Sequence, residues 1–318
     1  MPATDASPNR AMLFGRTAVR TSLDKDVTGL AQQIAYNILF AVAPLLIFLT
    51  AFSGLVIQQV NADIANPALP VLDWLDDNLP SDAAEFLKGP VESALTTSPQ
   101  FLLSIGGVLT LWSAKNAMAA IMNGLNAMYG LEDSRSYVKK NAIALLLTIG
   151  LAASILVSGA LHLLGTKVGQ DIADWAGLGT VWDTAVRLLQ WPVTTALVTL
   201  LIVLIHRFAP IFDGPLRWYL PGALLTTIGL AVSTFGLQIY FASFGGFSAA
   251  YGVFGAVLAF IFWLYVASVV ILAGGVVNAT LFTIHPRAKT ALADYQEAKV
   301  LGYKPGQPET SGQSHRDN

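Results

Sequence analysis

Residues 109–130 read LTLWSAKNAMAAIMNGLNAMYG. The stretch has no acid and no proline, and alanine, leucine and methionine dominate it, so an α-helix is its natural form. It also carries Lys115, Asn116, Asn123 and Asn126. A segment headed for hydrocarbon has no need of a lysine and three asparagines. They mark either a filler of the membrane or a working part of it, and the rest of the chain bears on which.

The chain has 318 residues, 54% of them hydrophobic and only 12% charged. A soluble domain carries about 25% charged residues, so much of this surface faces something other than water. The apolar residues come in blocks long enough to cross a hydrocarbon core, which takes about 20 residues in a helix. Six blocks qualify, at roughly 29–57, 101–126, 141–165, 190–209, 219–243 and 251–282. The predicted fold class is all-α: a polytopic membrane protein built as a bundle of six transmembrane helices. The first block carries no early cleavage site and is read as a retained span rather than a signal peptide. Pro44 lies within it and marks a candidate kink.

The flanking segments complete the organisation. Residues 1–28 form an N-terminal segment in which RAMLFGRTAVRTSLDKDV (10–27) reads as a basic amphipathic helix on the inner leaflet. Residues 29–285 form the six-span domain. The outer loop 58–100 is acidic and rich in proline, with short helical patterns such as ALPVLDWLDDNLP (68–80). Residues 286–318 are polar and read as a disordered tail.

Basic residues fix the orientation. Arg10, Arg16, Arg20 and Lys25 precede the first span, and Arg135, Lys139 and Lys140 lie between the second and third. Arg207 and Arg217 lie between the fourth and fifth, and Arg287, Lys289, Lys299, Lys304 and Arg316 follow the sixth. The alternate loops hold only Lys88, Lys167 and Arg187. Positive loops stay inside, so both termini are predicted cytoplasmic. A net charge of −2 argues against nucleic acid as a partner, and leaves membrane lipids as the expected surroundings.

Catalytic signatures are missing from the sequence. There is no cysteine, and His162, His206, His285 and His315 have no metal-ligand spacing to one another or to a carboxylate. The six apolar blocks contain no aspartate or glutamate, so an intramembrane carboxylate relay is excluded. No phosphate-binding loop or nucleophile elbow occurs. The expectation is a protein that is not an enzyme, with no metal and no cofactor.

On a helical wheel Lys115, Asn116, Asn123 and Asn126 fall within about 100° of one another, opposite Leu111, Ile121 and Leu125. Lys115 lies roughly 21 Å along the span from Phe101, near enough to the inner edge to snorkel. The asparagines are too short to do so. Gln33, Tyr36, Asn37, Phe40 and Pro44 make a similar stripe on the first span, and Arg207 and Asn278 lie at the same end of the bundle. Two readings stand. The amides pair across packed helices, or these residues line a cytoplasm-facing polar cavity for an anionic or lipid-like solute. Gly252 and Gly255, near the turn into the last span, are candidates for close packing or a hinge.

Several segments together resemble a known family. AQQIAYNILFAVAPLLIFL (31–49), LWSAKNAMAAIMNGLNAMYGLEDSRSYVKK (111–140), HRFAPIFDGPLRWYLPGALL (206–225) and FGGFSAAYGVFGAVLAFIFWLYVASVVILAGGVVNA (244–279) are similar to the YihY/BrkB inner-membrane proteins, once labelled ribonuclease BN. The resemblance implies six spans with both termini inside, and a transporter or a lipid-handling role in the envelope. Family members often carry glutamates in the last span, where this chain has Val276 and Thr280. The functional expectation is a transporter-like protein binding or moving an anionic or lipid-like solute. The alternative is a non-transporting scaffold for an envelope assembly.

Overall fold

The computed structural model describes residues 10–60, 88–89, 99–163, 179–212, 214–243 and 248–284. The outer loop, apart from residues 58–60, 88–89 and 99–100, and the C-terminal tail from 286 therefore lie outside the described residues. Among the described residues seven long α-helices follow one another: α1 Arg10–Asp24, α2 Val27–Val60, α3 Pro99–Met128, α4 Tyr137–Leu163, α5 Gly179–Phe208, α6 Leu220–Ser243 and α7 Ser248–Ile284. A 3-10 turn, Leu216–Trp218, leads into α6. No strand occurs among the described residues.

Four of these helices are long and apolar enough to cross a membrane, over Val27–Phe48, Tyr137–Ser158, Leu220–Ile239 and Val257–Ile284. Among the described residues, a further apolar stretch of α5 runs over Pro192–Phe208. Helix α3 has ample length at 30 residues, but Lys115 and its asparagines dilute its hydrophobicity. Helix α5 begins well before the apolar block that starts near 190 and runs through Pro192 without a break. Prolines are tolerated inside spans because neighbouring groups can satisfy the freed carbonyl. Pro44 likewise lies within an unbroken α2.

The helix ends show why the chain breaks where it does. Asp26, at φ 45°, turns the chain between α1 and α2. Its Oδ1 accepts hydrogen bonds from the Gly29 N–H at 3.1 Å and the Thr28 hydroxyl at 3.1 Å, capping the open end of α2. At the end of α3, Gly130 takes φ 67°. Its N–H reaches the Ala127 carbonyl at 2.9 Å, and Leu131 N–H reaches that of Asn126 at 3.0 Å. This pair of bonds is the Schellman arrangement, in which glycine relieves the strain of the left-handed residue.

Each helix from α2 to α7 packs on the next in sequence, α7 returns to α2 and α3, and α1 lies against α7. Among the described residues the main core joins distant parts of the chain. It is formed by the start of α2 (Val27, Ala31, Ile34), the end of α3 (Met118, Met122, Leu125), the α5–α6 connection (Ala209, Phe212, Tyr219) and the end of α7 (Leu272, Val276, Phe282). Phe282 is fully buried and meets Phe212, Trp218 and Tyr129 edge-on, at centroid distances of 5.0, 5.1 and 5.7 Å. Elsewhere on the helices many large apolar side chains are exposed, among them Leu45, Val108, Leu156, Val232 and Phe262.

Helices α6 and α7 meet backbone to backbone. A side chain on Gly274 would strike the Thr226 hydroxyl and come within 2.5 Å of the Gly222 carbonyl. One on Gly222 would strike the Gly274 carbonyl and come 2.5 Å from the Asn278 amide. Small residues at such crossings let two spans approach closely where lipid supplies no hydrophobic drive.

Candidate functional site

Two reciprocal bonds stitch α3 to α4. Lys115 on α3 donates from Nζ to Asn141 Oδ1 on α4 at 2.7 Å. Lys140 on α4 donates from Nζ to Asn123 Oδ1 on α3 at 2.6 Å. Asn141 is aimed by its own helix, because its Nδ2 donates to the Tyr137 carbonyl at 2.8 Å and leaves Oδ1 for the lysine. The Lys115 ammonium also lies 4.4 Å from the ring centre of Trp112. All of its partners among the described residues are neutral, so its positive charge is not cancelled.

Lys140 leads to a charged cluster in the α3–α4 turn. Asp133 Oδ2 lies 3.7 Å from Lys140 Nζ, and its carboxylate accepts two bonds from the Arg135 side chain, at 2.8 and 3.0 Å. Burial by itself would raise the Asp133 carboxyl. The hydrogen bonds and charge of Arg135, with the charge of Lys140, outweigh it and hold the group below its ordinary value. Arg135 then reaches across to α5, donating to the Phe208 carbonyl at 3.2 Å and to the Ala209 carbonyl. It thereby satisfies carbonyls that the end of α5 leaves open.

The remaining candidate residues take separate places. Asn126 is buried, and its Oδ1 accepts the Ile211 N–H at 2.8 Å, tying α3 to the α5–α6 connection. Asn278 is buried at the α6–α7 crossing, accepting from Gly222 N–H at 2.9 Å and donating to the Tyr219 carbonyl at 3.2 Å. The Arg207 guanidinium stacks near Phe208 and Tyr219, 5.4 and 5.8 Å from their ring centres. Asn116 is half-buried on α3. Gln33 is exposed on α2, and its carbonyl accepts the Asn37 side-chain amide at 2.8 Å. Tyr36, 60% exposed, packs on Phe40 and lines a groove of about 430 Å³ with Phe262 and Tyr265 of α7. Val276 and Thr280 are both buried.

The structure thus ties Lys115 and Asn123 each to α4, and gives Asn126, Asn278 and the α2 residues other partners. It adds Lys140, which the sequence left among the loop charges, and Asn141, the first residue of the third apolar block. The signal for them was faint: a Lys-Lys-Asn run at the start of a span, whose partners depend on how α4 lies against α3. Chemically the strip offers two ammonium groups and two amides, a set suited to holding an anion. Among the described residues no group of three or more histidine, cysteine or carboxylate side chains gathers to hold a metal ion.

Apolar helices of this length, joined by glycine crossings and intrahelical hydroxyl bonds, define a helical membrane protein. The family model described as virulence factor BrkB matches residues 18–297, and the chain belongs to that family. Among similar proteins, a ribonuclease-like protein named YfkH, of Bacillus subtilis (strain 168), is 28% identical over 277 residues, covering 87% of this chain and 95% of its own. The UPF0761 membrane protein XOO3417 of Xanthomonas oryzae pv. oryzae (strain MAFF 311018) is 26% identical over 310 residues, 92% of this chain and 67% of its own. XAC0937, a UPF0761 membrane protein of Xanthomonas axonopodis pv. citri (strain 306), is 27% identical over 293 residues, and the match covers 64% of its length. No solved structure matches the chain.

Proposed function

We propose that this is a six-span inner-membrane protein, with both termini in the cytoplasm, that binds or moves an anionic, lipid-like solute. Helices α2 to α7 are the six spans, and α1 lies along the inner leaflet. The observation that carries the reading is Lys115. A lysine at membrane depth is expensive and is ordinarily matched by an acid. Here its partners are the Asn141 amide and the Trp112 ring. A charge kept at that cost with neutral partners suits a site whose counter-charge arrives with a ligand. The Lys–Asn strip between α3 and α4 is the recognition element in this reading, in place of a cavity shared by all the polar residues.

Native mass spectrometry of the purified protein tests the proposal. The wild type is expected to retain an anionic lipid or solute, and Lys115→Ala combined with Asn123→Ala to lower that retention by about tenfold, or about 1.4 kcal/mol. A wild-type spectrum free of bound anion, or equal retention by the double variant, sinks it.

A further inference from the structure

A second concave surface lies between α5 and α6, apart from the α3–α4 strip. It encloses about 900 Å³ and is walled by Ala196, Leu200 and Val203 of α5 and Leu220 and Leu224 of α6, with Arg217 at one end. Its lining is almost wholly apolar; the polar exceptions are Arg217 and the hydroxyls of Thr195 and Thr199. Thr199 turns its hydroxyl to the Thr195 carbonyl at 2.8 Å and to Thr227 at 3.2 Å, so the floor presents methyl groups rather than free donors. The α5 wall runs from Pro192 to Val203, which at 1.5 Å per residue is about 16 Å. That is the depth of one leaflet, half of a ~30 Å hydrocarbon core.

Arg217 stands where a headgroup would. It lies in the 3-10 turn that opens α6, beside Trp218 and outside the apolar run that begins at Leu220. It is exposed and makes no ion pair among the described residues. A guanidinium presents a planar fork of donors that fits phosphate in a bidentate manner. An apolar trough one leaflet deep, ending at a cation at interfacial height, matches a single kind of occupant.

We propose that the α5–α6 groove is a binding site for one anionic phospholipid, with an acyl chain along α5 and the phosphate on Arg217. Arg217 sets the headgroup preference, and the trough holds the chain of any lipid. The site is independent of the Lys115 strip.

The test uses the full-length protein in nanodiscs of phosphatidylcholine doped with a photoreactive acyl-chain probe, carried on phosphatidylglycerol or on phosphatidylcholine. Labelled peptides are mapped by mass spectrometry. Peptides covering 192–203 and 216–224 are expected to label several-fold more with the phosphatidylglycerol probe. Arg217→Gln should reduce that labelling to the phosphatidylcholine level, Arg217→Lys should keep most of it, and Ala196→Trp, which fills the trough, should lower both. Lys115→Ala with Asn123→Ala should leave the pattern unchanged, so the groove and the strip stand or fall separately. Equal labelling by the two probes in the wild type, or an unchanged preference in Arg217→Gln, overturns the proposal. So does cross-linking of the groove to a second copy of the chain in place of lipid.

Discussion

Asp133 and Arg135 are two residues apart, yet between them they hold three helices. Their side chains are 4% and 10% exposed, so the pair is a buried one. Removing one partner of a buried pair leaves the other uncompensated and costs about 3 kcal/mol. Asp133→Ala is therefore expected to lower the thermal midpoint in detergent at neutral pH. The wild type carries a matching pH signature. Its Asp133 carboxyl titrates below the ordinary value of about 3.9. The stability it contributes is fully present above that ordinary value and is lost as pH falls through the depressed one. Midpoints measured from pH 7 downward should stay level to about pH 4 and then fall. Asp133→Ala should lose this pair's share of that fall. At this scale the sequence was half legible. The face of α3 that Lys115 shares with Asn123 could be read from helical geometry alone. The partner of Lys115, Asn141, could not, because a pair 26 positions apart depends on how two helices lie together.

Helix positions were easier to read than helix contacts. The apolar blocks placed α2, α3, α4, α6 and α7 within a few residues, since burial in hydrocarbon demands long unbroken runs. Helix α5 was read 11 residues short, because Trp182, Asp183 and Arg187 interrupt the apolar pattern while the backbone continues as helix. The Gly222–Gly274 crossing was not legible at all. Glycines are common in this chain, and only the structure distinguishes those at which two backbones meet from those facing open space, such as Gly150 and Gly236. That distinction makes a paired prediction. Gly274→Ala should destabilise the protein by about 1–3 kcal/mol, as overpacking does. Gly236→Ala should be neutral or slightly stabilising, as alanine favours helix by up to about 1 kcal/mol. Thermal unfolding in detergent separates the two.

For the whole molecule, membrane character and family were legible from composition and from motifs spread along most of the chain. Orientation rests on the loop charges, and reporter fusions examine it directly. A reporter placed near Lys139 is expected to be active in the cytoplasm, and one near Asp77 outside it. The same location for both would overturn the six-span topology. Which described side chains are enclosed was hidden from the sequence. Every span is apolar along its length, and only the packing shows that Leu272 and Phe282 are enclosed while Leu156 and Val232 are not.

The enclosure of two asparagines has a consequence for solvent. Asn126 and Asn278 hold the N–H groups of Ile211 and Gly222 where their own side chains are buried. A hydrogen bond in such surroundings is electrostatically stronger than one in water. Those two amide protons are shielded from exchange for as long as this part of the bundle stays closed.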